Sequence, residues 1–300
     1  MKKNLIIGTA TGYKYAAMQY FFTSLKAIDF KGDVVILVSD DIDAETKQLL
    51  LNQDVILIYI KKSVLSFSKK YAASRLWKVH YLFHKALYAL LSPGKDNLNT
   101  LSKYVKTFHL VSGSRYCYYY EYLLANQDKY DLVLITDVRD VLFQADPFAG
   151  IRNNSFLNFY SEAHSIANSF YTSYWLRHAF GKKALAQIAD KVSICSGTTI
   201  GSVNQIINYL EAMIKMQAKI TAGLTGLGGF DQGVHNYLVH NNYFPGSNLL
   251  ENNEGEVATL GESNSIAVNS DHELTDKKGH VIPVVHQFDR FPDLKLKALL

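Results

Sequence analysis

Hydrophobic and polar positions divide the N-terminal half into short apolar runs that alternate with longer segments of helical period. Residues 4–8 form a brief apolar strand, followed by the small-residue turn Gly8-Thr9-Ala10-Thr11-Gly12. Residues 13–28 carry Ala17, Phe21, Leu25 and Ile28 at the spacing of one buried helix face. Residues 33–38 are a β-branched run, hence a buried strand, closed by Ser39-Asp40-Asp41. Asp43 is placed to cap a helix through Leu51, and residues 55–60 read as a third strand. Strands alternating with helices predict right-handed crossovers and a mostly parallel α/β sheet.

Beyond this point residues 71–91 read as a helix, 92–97 as a break rich in Pro, Gly and Asn, and 112–126 as a tyrosine-rich helix. Residues 131–136 are an aliphatic strand that ends abruptly in acid. A strand over 156–160, a strand over 192–202 interrupted at Ser196-Gly197, and an amphipathic helix over 203–217 follow. A glycine-rich loop at 226–229 leads into a helix over 230–240. Residues 248–276 are polar and predict loops with one or two short strands, before a last strand at 282–285. No repeat or linker interrupts the pattern, so a single domain over 1–300 is expected.

Composition narrows the function class. With 300 residues, 48% of them hydrophobic, the chain has ample material for a large core. Its net charge of +4 is close to balance, and no basic block has the density that nucleic-acid binding needs. Lys61-Lys62 and Lys69-Lys70 read as a solvated face, with membrane association left open. Cys117 and Cys195 are far apart and make neither a CxxC nor a zinc framework; they fit a reducing compartment, and a disulfide between them stays an alternative. The start, Met1-Lys2-Lys3 before Leu5-Ile6-Ile7, imitates a signal peptide, but its apolar run falls short of the roughly 7–15 residues required. No stretch approaches the ~20 apolar residues of a membrane span, so the expectation is a cytoplasmic protein.

The candidate chemistry lies in Tyr130-Asp131-Leu132-Val133-Leu134-Ile135-Thr136-Asp137-Val138-Arg139-Asp140. A buried strand delivers Asp137 and Asp140 at its carboxyl end, the edge where open α/β sheets bind ligands. Carboxylate oxygens suit Mg²⁺ or Mn²⁺, which bind one or two acids together with substrate phosphates. Arg139 is placed to meet a phosphate or to hold a carboxylate. Read from these residues alone, two aspartates that merely cap the following turn carry about equal weight, because Asp is common in turns.

The run from Thr136 through Phe143-Gln144-Ala145-Asp146-Pro147-Phe148 resembles the aspartate-motif region of GT-A glycosyltransferases. It departs from their Asp-x-Asp pattern: Arg139 stands where the second acid is usual, and Asp140 follows. The resemblance implies a Rossmann-like, mostly parallel mixed sheet flanked by helices, with a nucleotide-binding part over about 1–150 and an acceptor part over about 151–300. It implies a nucleoside-diphosphate-sugar donor, a glycan or other hydroxyl acceptor, and a Mn²⁺ or Mg²⁺ cofactor, in glycan or polysaccharide synthesis. It also implies that Thr9, Ala10 and Tyr13 in the first turn and Arg115 on the tyrosine-rich helix contact the nucleotide, beside the phosphate contact open to Arg139. Gly197 and Thr198 would line the donor sugar, Asp231 at the helix start would act at the sugar beside Gln232, and His286 would join Asp137 and Asp140 on the metal. Two alternatives remain: a GT-A-like protein that binds sugar or nucleotide without turnover, and a sugar-phosphate nucleotidyltransferase. The latter wants a basic glycine-rich loop that residues 9–13 do not supply. Tyr116, Tyr118, Tyr119 and Tyr120 read as an aromatic helix face packed into the core.

Overall fold

The aliphatic runs of the N-terminal half pair side by side. In the computed structural model, which describes residues 2–61, 77–91, 98–151, 156–220, 229–261, 267–291 and 293–299, β1 (Lys3–Thr9) lies between β2 (Asp33–Ser39) and β4 (Tyr130–Asp137). β3 (Ile56–Ile60) pairs with β2, and all three pairings are parallel. On the far side of β4 come β7 (Val192–Ser202), β6 (Leu157–Ser165) and β8 (Asn248–Leu250), completing a seven-stranded sheet of order β3-β2-β1-β4-β7-β6-β8. β7 runs antiparallel to both its neighbours, and every other adjacent pair is parallel. This is the expected mostly parallel mixed sheet. The chain winds outward from β1 to β3 and then returns to the other side of β1 as β4, which creates a switch point between β1 and β4.

Alternating side chains of these strands feed two cores. Leu5, Ile7, Val35, Leu37, Val133 and Ile135 face α4 (Leu98–Phe108), α5 (Val111–Asn126) and α7 (Val203–Lys219). Ile6, Ile36, Val38, Leu132 and Leu134 face Phe21, Phe22 and Leu25 of α1 (Gln19–Ala27). The tyrosines of α5 are indeed core: Tyr116, Tyr119 and Tyr120 are buried. α2 (Ala44–Leu51) starts as expected on Asp43, whose carboxylate accepts from the Thr46 N–H. A small second sheet, β5 (Val141–Phe143), β12 (Val284–His286) and β9 (Val257–Thr259), packs on the carboxyl side of β4.

Several elements differ from the sequence expectation. The first helix begins at Gln19 rather than Tyr13: Gly12 takes a φ of 78°, and a separate 3-10 turn occupies Tyr15–Ala17. α3 (Trp77–Leu91) is the described part of the helix expected over 71–91; residues 62–76 and the break at 92–97 lie outside the described residues, as do Lys62, Lys69 and Lys70. α4 and α6 (Phe170–Ile188) were not legible in the sequence; α6 is broken at Gly181 (φ 86°) and exposes Phe170 and Tyr171, which spoils its period. β7 continues through Ser196-Gly197; the irregularity lies instead in its register against β6, which shifts on both sides of Ser161. α8 (Phe230–His240) begins on Gly229 in the left-handed region, while 221–228 lie outside the described residues. The polar stretch holds four short strands rather than one or two: β8, β9 and the hairpin β10 (Ala267–Val268) and β11 (Leu274–Thr275). Cys117 and Cys195 are both free thiols. Among the described residues no helix is long and apolar enough to cross a membrane.

Gly8 sits opposite Thr136 where β1 and β4 approach each other, and a Cβ there would lie 2.5 Å from Val138 Cγ2 and 2.8 Å from the Thr136 carbonyl oxygen. Gly8→Ala is expected to destabilise the fold by ~1–3 kcal/mol, the range for overpacking. Urea unfolding checks this, and an unchanged midpoint would show that the strands part without cost.

Candidate active site

The site forms at the carboxyl ends of β1 and β4. Thr9 and Asp137, the last residues of the two strands, are direct neighbours across the pair. After Asp137 the chain turns at once: Val138 is buried against Gly8, Arg139 points outward, and Asp140 returns to the side of Asp137. The acid spacing therefore follows from the turn. β5 continues from Asp140 and pairs with β12, with Val141 opposite His286. The Gln287 N–H donates to the Asp140 carbonyl at 2.7 Å, which fixes the imidazole beside the two acids.

His286 Nε2 lies 3.6 Å from Asp137 Oδ2 and 3.8 Å from Asp140 Oδ1, and the three side chains offer ligand atoms all within 4.8 Å of one another. Two carboxylates and an imidazole are a donor set for Mn²⁺ or Mg²⁺. The orientation of the ring supports the fit. Nδ1 faces Cys195 Sγ at 3.4 Å and Thr259 Oγ1 at 3.5 Å, while the buried Nε2 on the acid side has no hydrogen-bond partner among the described residues. Because β7 is antiparallel to β4, residues 195–197 overhang the end of β4. Gly197 closes this side: a Cβ there would lie 2.6 Å from Asp137 Oδ2 and 2.8 Å from His286 Cε1.

A second charged assembly abuts the first. Arg115, buried on α5, donates through one guanidinium nitrogen to Asp137 Oδ1 at 2.6 Å and through the other to Asp231 Oδ2 at 2.9 Å. The Tyr116 hydroxyl adds a longer contact to Asp231 at 3.4 Å. The two acids are driven apart in proton affinity. At Asp137, burial favours the neutral form, but Arg115 and His286 outweigh it and hold the carboxyl well below its usual range. At Asp231 burial prevails over Arg115, and the neighbouring charge of Asp137 adds to it, so the pKa is raised. Burial alone would depress His286, yet Cys195, Asp137 and Asp140 together lift its pKa well above the ordinary imidazole value.

A cleft of about 300 Å³ opens beside these groups, lined by Thr9, Tyr13, Arg115, Asp137, Arg139 and Asp140 among others. Thr9 bonds Tyr119 through its hydroxyl at 2.6 Å, and Tyr13 lies below the Arg139 guanidinium, 6.0 Å from ring centroid to Cζ. Arg139 pairs with Asp140 and Asp289 at 3.3 and 3.1 Å. Ala10 is placed differently: it is buried, and its N–H donates to the Leu37 carbonyl. Thr198 is fully buried opposite Thr136 in the β4–β7 pair. Gln232 faces away from the cleft, into a separate pocket with Glu162. Sequence reasoning missed Cys195, Thr259, Asp289 and Glu162, and found no site role for Tyr116 or Tyr119; nothing in their local sequence marks them.

No protein-family model matches the chain, and no curated protein matches it. Among solved structures the chain is similar to core-mannan synthase A from Aspergillus fumigatus in its Mn/GDP form, at 12% identity and a TM-score of 0.43, over 79% of this chain and 70% of that one. A likeness this loose carries no argument about function.

Two outcomes follow from the charges. Arg115→Met strands two carboxylates and is expected to cost ~3–5 kcal/mol, the range for breaking a buried ion pair. Adding Asp231→Asn to it should recover part of that loss; urea unfolding of the single and double variants reads the coupling, and additivity within about 0.5 kcal/mol would show that the residues do not act as a unit. Because the pKa of His286 is raised, its ring holds a proton below that raised value, and a cation on Nε2 must displace it. Mn²⁺ binding near neutral pH should therefore release about one proton and weaken as pH falls. Calorimetry in buffers of different ionisation enthalpy measures this, with the release expected to vanish in His286→Ala.

Proposed function

We propose that the chain is a metal-dependent glycosyltransferase of the GT-A type, moving a hexosyl or pentosyl group from a nucleoside-diphosphate sugar to a hydroxyl of a glycan acceptor. The observation that carries this reading is the convergence of Asp137, Asp140 and His286 at the switch point between β1 and β4, beside an open cleft. Those three residues would hold Mn²⁺ or Mg²⁺, which when bound offsets the charge of a diphosphate leaving group. Thr9 and Tyr13 form the nucleotide side of the cleft, with the Tyr13 ring available to a base, and Arg139 at the rim is placed for a phosphate. Gly197, having no side chain, lets the β7 backbone close directly against Asp137 and His286, where it would line the reacting end of the donor. Arg115 orients Asp137 and Asp231, and Asp231, with its raised proton affinity, is the group to take the proton of the attacking hydroxyl. The setting proposed is cytoplasmic glycan or polysaccharide synthesis.

One observation favours a second reading, a protein that binds sugar or nucleotide without turnover. Arg139 sits 3.3 Å from Asp140 Oδ2 and offsets part of the charge a cation would use.

Thermal shift with UDP and with GDP, each with and without Mn²⁺, tests the site on wild type and Asp140→Ala. A nucleotide at a hundredfold excess over its Kd should stabilise wild type by about 2.7 kcal/mol, only with Mn²⁺ and not in the variant. Release of nucleoside diphosphate across a donor panel then separates the readings: turnover lost in Asp140→Ala supports transfer, and binding with no turnover of any donor supports the second.

A further inference from the structure

A second pocket lies behind the acidic cluster, and its chemistry differs from that of the cleft. It encloses about 110 Å³ between the end of β6, the first turns of α6 and the start of α8, and shares no lining residue with the cleft. Glu162 forms its floor and is 9% exposed. Ser193 Oγ and Gln232 Nε2 both donate to Glu162 Oε2, at 2.5 and 3.0 Å, and His164 Nε2 stands 3.5 Å from the same oxygen. Glu162 Oε1 has no hydrogen-bond partner among the described residues, although a carboxylate oxygen accepts about two bonds. One oxygen thus anchors the side chain and leaves the other free to accept.

The pocket's mouth is aromatic. Tyr171 stacks on Trp175 with ring centroids 5.7 Å apart and planes inclined by 29°, and Tyr171 is 65% exposed. Trp175 is clamped from behind, because Gly229 and Gly233 at the start of α8 leave no room for a Cβ against it. An exposed flat ring on a rigid support, above a carboxylate and an amide, is suited to a ligand with one apolar face and a rim of hydroxyls. A nucleotide fits poorly: the volume is small, and the only cation among the lining residues, Arg290, is half exposed and faces Asp289.

The position supplies the rest. Gln232 follows Asp231, Gln287 follows His286, and Thr259 Oγ1 lies 3.5 Å from His286 Nδ1, so the pocket and the acidic cluster share one wall. We propose that this pocket is a saccharide subsite that receives the acceptor, a neutral pyranose lying on Tyr171 with its hydroxyls directed to Glu162 and Gln232. The assignment to the acceptor rests on the glycosyltransferase reading; the saccharide subsite itself does not.

Trp175 reports on the pocket directly. The chain has two tryptophans, Trp77 and Trp175, so Trp77→Phe leaves Trp175 as the sole source of indole emission. The full-length Trp77→Phe protein is titrated with the methyl pyranosides of glucose, galactose, mannose and xylose, without nucleotide or metal. At least one is expected to change the emission saturably. Glu162→Gln, which removes a hydrogen bond to a charged group, and Tyr171→Ala, which removes the ring the sugar lies on, should each weaken that binding about tenfold. Both should retain stabilisation by Mn²⁺ with nucleotide, which also confirms that they fold. No change with any pyranoside, or an equal response in both variants, overturns the subsite. A saccharide response in a protein that Mn²⁺ and nucleotide fail to stabilise would keep the subsite and remove the glycosyltransferase reading instead.

Discussion

The guanidinium of Arg115 is the constraint on which the rest of the site depends. It is buried on α5 between Asp137, which ends β4, and Asp231, which opens α8. Charges removed from water are tolerated only when partners arrive with them, so these three elements have one mutual placement or none. Such a triad adds little net stability, because desolvation cancels much of the attraction. Its effect is on geometry. It fixes where β4 releases the chain into the Val138–Asp140 turn, and where α8 starts with Asp231 against Arg115 and Gln232 facing the opposite pocket.

Around that anchor, strand direction selects which residues approach the acids. A parallel strand beside β4 would bring its own carboxyl end to the site. The antiparallel β7 instead brings its middle, and with it Cys195 against the imidazole and Gly197 against Asp137. The small sheet does the same for His286, since β12 is hydrogen-bonded to the strand that follows Asp140. Three carboxyls and one imidazole are thereby crowded together, and burial and pairing divide them: Asp137 is held anionic while Asp231 gains affinity for a proton. Under the proposed function, one cluster would supply both a cation site and a separate proton acceptor, the two demands of transferring a sugar from a diphosphate to a hydroxyl.

The two cavities on either side of this cluster give the proposed reaction a spatial logic. The cleft opens towards the β1 turn and has Arg115 and Arg139 in its lining, whereas the pocket behind has a buried carboxylate and exposed aromatic rings. A charged donor and a neutral acceptor would be sorted by these linings before they meet. The glycines at 229 and 233 link the two sides, since they let Trp175 pack directly against the helix that carries Asp231.

The sequence by itself determined the parallel half of the sheet, because β1 to β4 are aliphatic runs whose period and caps need no distant partner to be read. It also determined that acids would stand at the carboxyl end of β4, and the mixed sheet implied by the GT-A resemblance is present. It did not reveal α6, whose break at Gly181 and exposed Phe170 and Tyr171 erase the amphipathic signal. Nor does the residue type at Ala10 or Thr198 say where its side chain faces, since backbone pairing and burial settle that. Glu162, Cys195 and Thr259 carry no local mark at all. Their surroundings come from register between strands and from contacts across tens of positions, such as the 70 between Glu162 and Gln232 and the 91 between Cys195 and His286. Local pattern encodes which face of an element is buried; only the tertiary structure decides what it is buried against, and at this site that decision sets the charges.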